Sequence, residues 1–180
     1  MSRLGRKPIS LSSDVKVDVS ESVVKVTGPK GNLSLDLRDD FAVEVSDNQL
    51  TVLNHSKQKD ASAFYGLYRS LLNNMVIGVT EGYEKKLELF GVGYRAQKKG
   101  QDIELSIGFS HPVLVKTIEG ITLDIENQTT ISISGIDKQA VGEVAANIIK
   151  IRDAKKDPYK NKGVRYVGAV LRKKTGKRIG

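Results

Sequence analysis

Val43-Glu44-Val45-Ser46-Asp47-Asn48-Gln49 returns, about eighty residues later, as Leu123-Asp124-Ile125-Glu126-Asn127-Gln128. In both stretches apolar residues alternate with polar ones and run into a polar turn. Period-two alternation places successive apolar side chains on one face of a strand, so each stretch reads as the first arm of a hairpin. The second arms are Leu50 and Val52 in one copy, Ile131 and Ile133 in the other. A helical pattern follows each hairpin. Ala61, Phe64, Tyr68, Leu71, Leu72 and Met75 recur at helical spacing, which predicts a helix from Asp60 to about Gly78. In the second copy Asp137 is an N-cap candidate, and Val141, Val144, Ala145 and Ile148 share one face.

The agreement extends outward from these hairpins. Val15, Val17 and Val19, then Val24 and Val26, then Leu33, Leu35 and Leu37 alternate with polar residues around the turn Gly28-Pro29-Lys30-Gly31. The second half opens with Leu87 and Leu89. It turns at Lys98-Lys99-Gly100-Gln101 into Ile103, Leu105 and Ile107, and continues with Val113 and Val115. Gly28 and Gly108 each close a strand at corresponding places. A repeat this long is not a solenoid unit, which runs to about 20–50 residues. The pattern predicts an α+β protein of two repeated small domains, each an antiparallel sheet with a helix packed on one face. The expected domains are 1–82, with a basic N-terminal arm, and 83–180, with a basic C-terminal tail.

The charge is not shared between the copies. The chain carries a net +8, yet residues 150–180 hold twelve Lys and Arg against two acids, so the remainder sums to about −2. A cationic end on a nearly neutral body is the footprint of a polyanion-binding protein. The candidate contacts are Lys155, Lys156, Lys160, Lys162, Arg165, Arg172, Lys173, Lys174, Lys177 and Arg178. If residues 160–162 are extended, the two lysines lie on one side about 6.6 Å apart, a spacing suited to successive phosphates. Arg165 has the planar fork for a two-bonded phosphate contact, and Tyr159 and Tyr166 can stack on unpaired bases. A strand formed by Val164, Tyr166, Val167 and Val170 is the competing use of the same segment. The first copy lacks the charge, so the second domain is expected to grip the polyanion while the first meets other partners.

Within this segment, Pro158-Tyr159-Lys160-Asn161-Lys162-Gly163-Val164-Arg165-Tyr166 resembles the signature of the bacterial type of ribosomal large-subunit protein six. That family commonly has Gly where Asn161 stands. Asn enters the left-handed region more readily than most side chains, so the departure is small. Ser2-Arg3-Leu4-Gly5-Arg6-Lys7-Pro8-Ile9, Gly28-Pro29-Lys30-Gly31 and Gly91-Val92-Gly93-Tyr94-Arg95-Ala96 agree as well. The resemblance implies the same duplicated fold. It also implies a structural role on 23S ribosomal RNA near the region where translation factors dock, with neighbouring large-subunit proteins as further partners, in the cytoplasm.

Other classes find little support. Without Cys there is no disulfide, thiolate nucleophile or cysteine-bound metal, and a cytosolic address fits. No apolar run has spanning length, and the start lacks a secretory core. His55 and His111 fall in different repeats with no metal-ligand or triad spacing, so no catalytic residue, metal, cofactor or small-molecule substrate is expected. Gly91-Val92-Gly93 lacks the third glycine of a nucleotide loop. It reads as a sheet irregularity, or as a place where Gly91, Gly93, Tyr94 and Arg95 approach an RNA backbone, with Ser110 and His111 on the same face. No basic amphipathic helix suggests a membrane surface. The alternative function is sequence-independent nucleic-acid binding outside the ribosome.

Overall fold

Residues 3, 5–20, 22–46, 48–56 and 61–176 are described by the computed structural model. Contacts divide them into two units. One holds residues up to Tyr83 with Ile136–Lys138, and the other holds Glu84–Gly135 and Gln139–Gly180.

In the first unit, β2 (Lys16–Ser20), β3 (Val23–Gly28) and β4 (Gly31–Asp36) form an antiparallel sheet with β3 central. A second antiparallel sheet has the order β1-β6-β5, from β1 (Ile9–Ser10), β5 (Phe41–Ser46) and β6 (Gln49–Asn54). Helix α1 (Ala61–Thr80) packs against β3, β4 and β6. The alternating residues of the sequence turn inward as a set: Val24, Val26, Leu50, Val52 and Leu72 are almost wholly buried. Burying a side chain of that size contributes roughly 1.5–3 kcal/mol, so this patterned set is a main contribution to holding the sheets to the helix. The helix runs past Gly78. Its stop is Gly82, whose φ of 78° and N–H bond to the Ile77 carbonyl form a left-handed cap. The expected start at Asp60 lies outside the described residues.

The second unit repeats this wiring. Strands β8 (Arg95–Lys99), β9 (Asp102–Ser106) and β10 (Val113–Val115) form a three-stranded antiparallel sheet with β9 central, as β2, β3 and β4 do. Strands β7 (Tyr83–Phe90), β11 (Ile121–Asn127) and β12 (Thr130–Gly135) take the order β11-β12-β7, the counterpart of β5-β6-β1. Helix α2 (Lys138–Ile151) follows directly after Asp137 and buries Val141, Val144, Ala145 and Ile148. The α+β class is as read, although each unit splits its strands between two small sheets rather than one. Gly28 closes β3, whereas Gly108 lies beyond the end of β9.

One strand has no counterpart in the first unit. β13 (Gly163–Tyr166) adds to the free edge of β7, pairing Gly163 with Phe90, Val164 with Leu89, Arg165 with Glu88 and Tyr166 with Leu87. Val164 is fully buried, and its N–H donates to the Arg152 carbonyl at 2.8 Å. The competing strand reading was therefore right for 163–166 only. Val167 and Val170 lie beyond the strand and are exposed.

Candidate nucleic-acid interface

The basic segment leaves α2 at Ile151 and takes one short 3-10 turn, Ala154–Lys156. Asp153 caps that turn by accepting the Lys155 N–H at 2.9 Å. Ala154 is buried beneath it, which turns Lys155 and Lys156 outward. The chain does not then extend as the lysine spacing required. Residues 158–162 curl around the Asp157 carboxylate, which accepts the N–H groups of Tyr159 (3.2 Å), Lys160 (3.1 Å) and Lys162 (3.2 Å). Asn161 sits inside the curl at φ 52° and donates its N–H to the Asp157 carbonyl. Lys160 and Tyr159 are exposed and Lys162 half-exposed, so a turn rather than a strand presents them.

Those three N–H donors, Lys160 first, hold the Asp157 carboxyl below the ordinary aspartate range. A carboxyl whose folded pKa is depressed stabilises the fold above its unfolded pKa and loses that contribution as pH falls through the folded value. The curl should stay intact from neutral pH to about 4, near the unfolded aspartate pKa, and loosen only below. Amide exchange at Tyr159, Lys160 and Lys162 measured against pH checks this. Asp157→Ala should abolish the protection at neutral pH.

Beyond the curl, β13 fixes Arg165 opposite Glu88. The two form an ion pair of 3.1 Å through Arg165 Nε, and the guanidinium lies 4.5 Å from the Phe90 ring centre. The phosphate fork expected of Arg165 thus has one edge committed to a carboxylate. Nearby, Lys85 Nζ stands 5.2 Å above the Tyr166 ring and Lys173 Nζ 5.9 Å from Phe90. Exposed Arg172, Lys173 and Lys174 have no regular secondary structure, but the Lys174 N–H donates to the Pro158 carbonyl and ties the tail to the curl. Lys177 and Arg178 lie outside the described residues.

Gly91 and Gly93 form a turn between β7 and β8, and Tyr94 is buried beneath it. A Cβ on Gly91 or Gly108 would press on the Tyr94 ring, so Tyr94 supports both glycine loops from inside. Arg152 joins them to the basic end. Its Nη1 donates to the Gly108 carbonyl at 3.2 Å, and its guanidinium carbon lies 5.5 Å from Tyr94 and 5.3 Å from Phe109. Phe109 in turn stacks with His111, which with Ser110 is exposed. Arg95 is exposed on β8, opposite Ser106. Sequence reasoning passed over Arg152, Phe109 and Phe90. The aromatic flanking each glycine turn was the available signal.

Some cations of the second unit are paired and others are not; Lys85 on β7 and Arg95 on β8 form no ion pair among the described residues. Lys86, Lys98 and Lys99, all on the strands of the second unit, each reach a carboxylate: Glu126, Asp124 and Glu104. Lys155, Lys156, Lys160, Lys162, Arg172, Lys173 and Lys174 form no ion pair among the described residues. No group of His, Asp and Glu among those residues is arranged to hold a metal ion, and no helix is long and apolar enough to cross a membrane.

The class defined is a duplicated α+β scaffold whose second copy carries an added edge strand and unneutralised cations. The family model described as Ribosomal protein L6 matches residues 12–82 and 90–167. A protein of Halothermothrix orenii named large ribosomal subunit protein uL6 is 50% identical over 179 residues, covering 98% of this chain and 99% of its own length. One of the same name from Clostridium novyi is 49% identical over 178 residues, covering 98% of each. The chain belongs to the ribosomal protein L6 family.

Proposed function

We propose that this chain is a structural constituent of the large ribosomal subunit in the cytoplasm. It binds 23S ribosomal RNA and supports its folded form near the translation-factor docking region. The observation that carries this reading is that, Arg165 apart, the seven Lys and Arg on 155–174 have no carboxylate partner among the described residues, whereas Lys86, Lys98 and Lys99 on the strands of the same unit are each paired. Unpaired Lys and Arg displace counterions from phosphates and hold RNA by its backbone and shape. Lys155 and Lys156 on the 3-10 turn, Lys160 and Lys162 on the curl, and Arg172, Lys173 and Lys174 on the tail serve as phosphate contacts. Tyr159 and Tyr166 are stacking surfaces, and the 91–95 and 110–111 loops extend the same surface. Arg165 contributes the terminal nitrogens that Glu88 leaves. The domain 83–180 carries this grip, and 1–82 meets neighbouring large-subunit proteins. A scaffold of this kind needs no cofactor or small-molecule substrate.

Sedimentation of a cell lysate in moderate salt tests the reading. The chain should travel with the large subunit and stay there until salt is raised well above physiological. Release at low salt onto assorted nucleic acids would favour the sequence-independent binder instead.

A further inference from the structure

The end of α2, the 3-10 turn and the loop after β9 enclose an open pocket of about 360 Å³. Phe109 and Ile151 supply apolar surface. Arg152, Lys156 and Lys162 supply positive charge, and Asp153 and Asp157 carboxylates complete the lining. Three cations against two carboxylates leave little net charge for a bare phosphate, and a phosphate has no use for an aromatic ring. A nucleobase matches the mixture: its faces are apolar and its edges polar. Phe109 is 45% exposed as a residue, and its ring lies against Arg152, which is itself held by the Gly108 carbonyl. A surface already in its bound arrangement loses little freedom when it is covered.

We infer that this pocket receives one unpaired base turned out of the bound RNA, with Lys156 and Lys162 meeting the phosphates on either side. The Asp157 carboxylate is already used by three backbone N–H groups and Asp153 Oδ1 by the Lys155 N–H, which leaves Asp153 Oδ2 as the acceptor toward the base. Adenine brings the larger stacking face and an exocyclic amino donor, so it should be taken in preference to uracil, whose one donor is its ring N3–H. The inference rests on the RNA-binding reading and adds to it a site for a single base.

Full-length protein titrated with adenosine 5′-monophosphate, uridine 5′-monophosphate, ribose 5-phosphate and inorganic phosphate, followed by amide NMR, tests this. Adenosine monophosphate should shift Ile151, Arg152 and Lys162, and bind about tenfold tighter than ribose 5-phosphate, as stacking of one base provides. Phe109→Ala should reduce that ratio to about one. Equal binding of all four probes, or shifts elsewhere, overturns the inference. If Phe109→Ala does not fold, the wild-type ratio decides alone. Binding of the same preparation to 23S-type RNA separates the two readings. RNA bound with no preference for the base-bearing probe removes the pocket only, whereas RNA not bound removes both.

Discussion

Gly163→Ala is expected to destabilise the second unit by about 3 kcal/mol, at the upper end of what overpacking a tight site costs. A Cβ at this position would stand 2.5 Å from the Arg152 carbonyl oxygen and 2.6 Å from the Ala154 nitrogen. Both are backbone atoms, so no side-chain rotation relieves the clash. The φ of 152° adds strain for any L side chain. The affected geometry joins three things: β13 on the edge of β7, the 3-10 turn, and the curl that carries Lys160 and Lys162. Denaturant unfolding measures the loss. Gly168→Ala is the control. Its φ of 79° is also left-handed, but a Cβ there meets nothing within 4 Å, so the cost should be only about 1 kcal/mol. Equal losses in the two variants would mean that the close approach of 152–154 is not what requires Gly163.

Replacing Lys160 and Lys162 together by Ala should make the dependence of log affinity on log salt shallower by about 2, near one unit per phosphate contact. Affinity for 23S-type RNA at physiological salt should fall about a hundredfold or more, since two charge-assisted contacts worth roughly 1.5–3 kcal/mol each are removed. Stability should change little, because neither side chain has an ion pair to lose and the curl is held by backbone N–H groups on Asp157. Arg165→Ala should behave differently. It removes the Glu88 ion pair and the cover over Phe90, so part of its effect will appear as lost stability. Arg172, Lys173 and Lys174 stand between these cases, since Lys174 is tied to Pro158 through its backbone. An unchanged salt slope in the double variant would show that Lys160 and Lys162 touch no phosphate.

The duplication was legible because it is written in local alternation. Val43 and Val45 recur as Leu123 and Ile125, and the helical spacing after each hairpin names the residues that become buried. The helix end was misplaced because two glycines compete, and only Gly82 takes the left-handed conformation that caps a helix. The curl at 157–162 could have been anticipated, since an Asp ahead of a Pro is a frequent turn former and its bonds are short-range. The pairing of Arg165 with Glu88 could not, because 77 residues separate them and only the β13–β7 register joins them. The same holds for Arg152, whose partners Gly108, Phe109 and Tyr94 lie far back in the chain. Charge counting located the basic end. It did not distinguish cations already paired from those left open.

The most direct measurement is lysine acylation of the chain alone and within the assembled large subunit, with each site quantified by mass spectrometry. Lys155, Lys156, Lys160, Lys162, Lys173 and Lys174 should react freely in the isolated chain and be strongly protected in the particle. Exposed Lys16 and Lys25 of the first unit should be protected less. Equal reactivity of the basic-end lysines in both states would place them in solvent, away from RNA, and contradict the account.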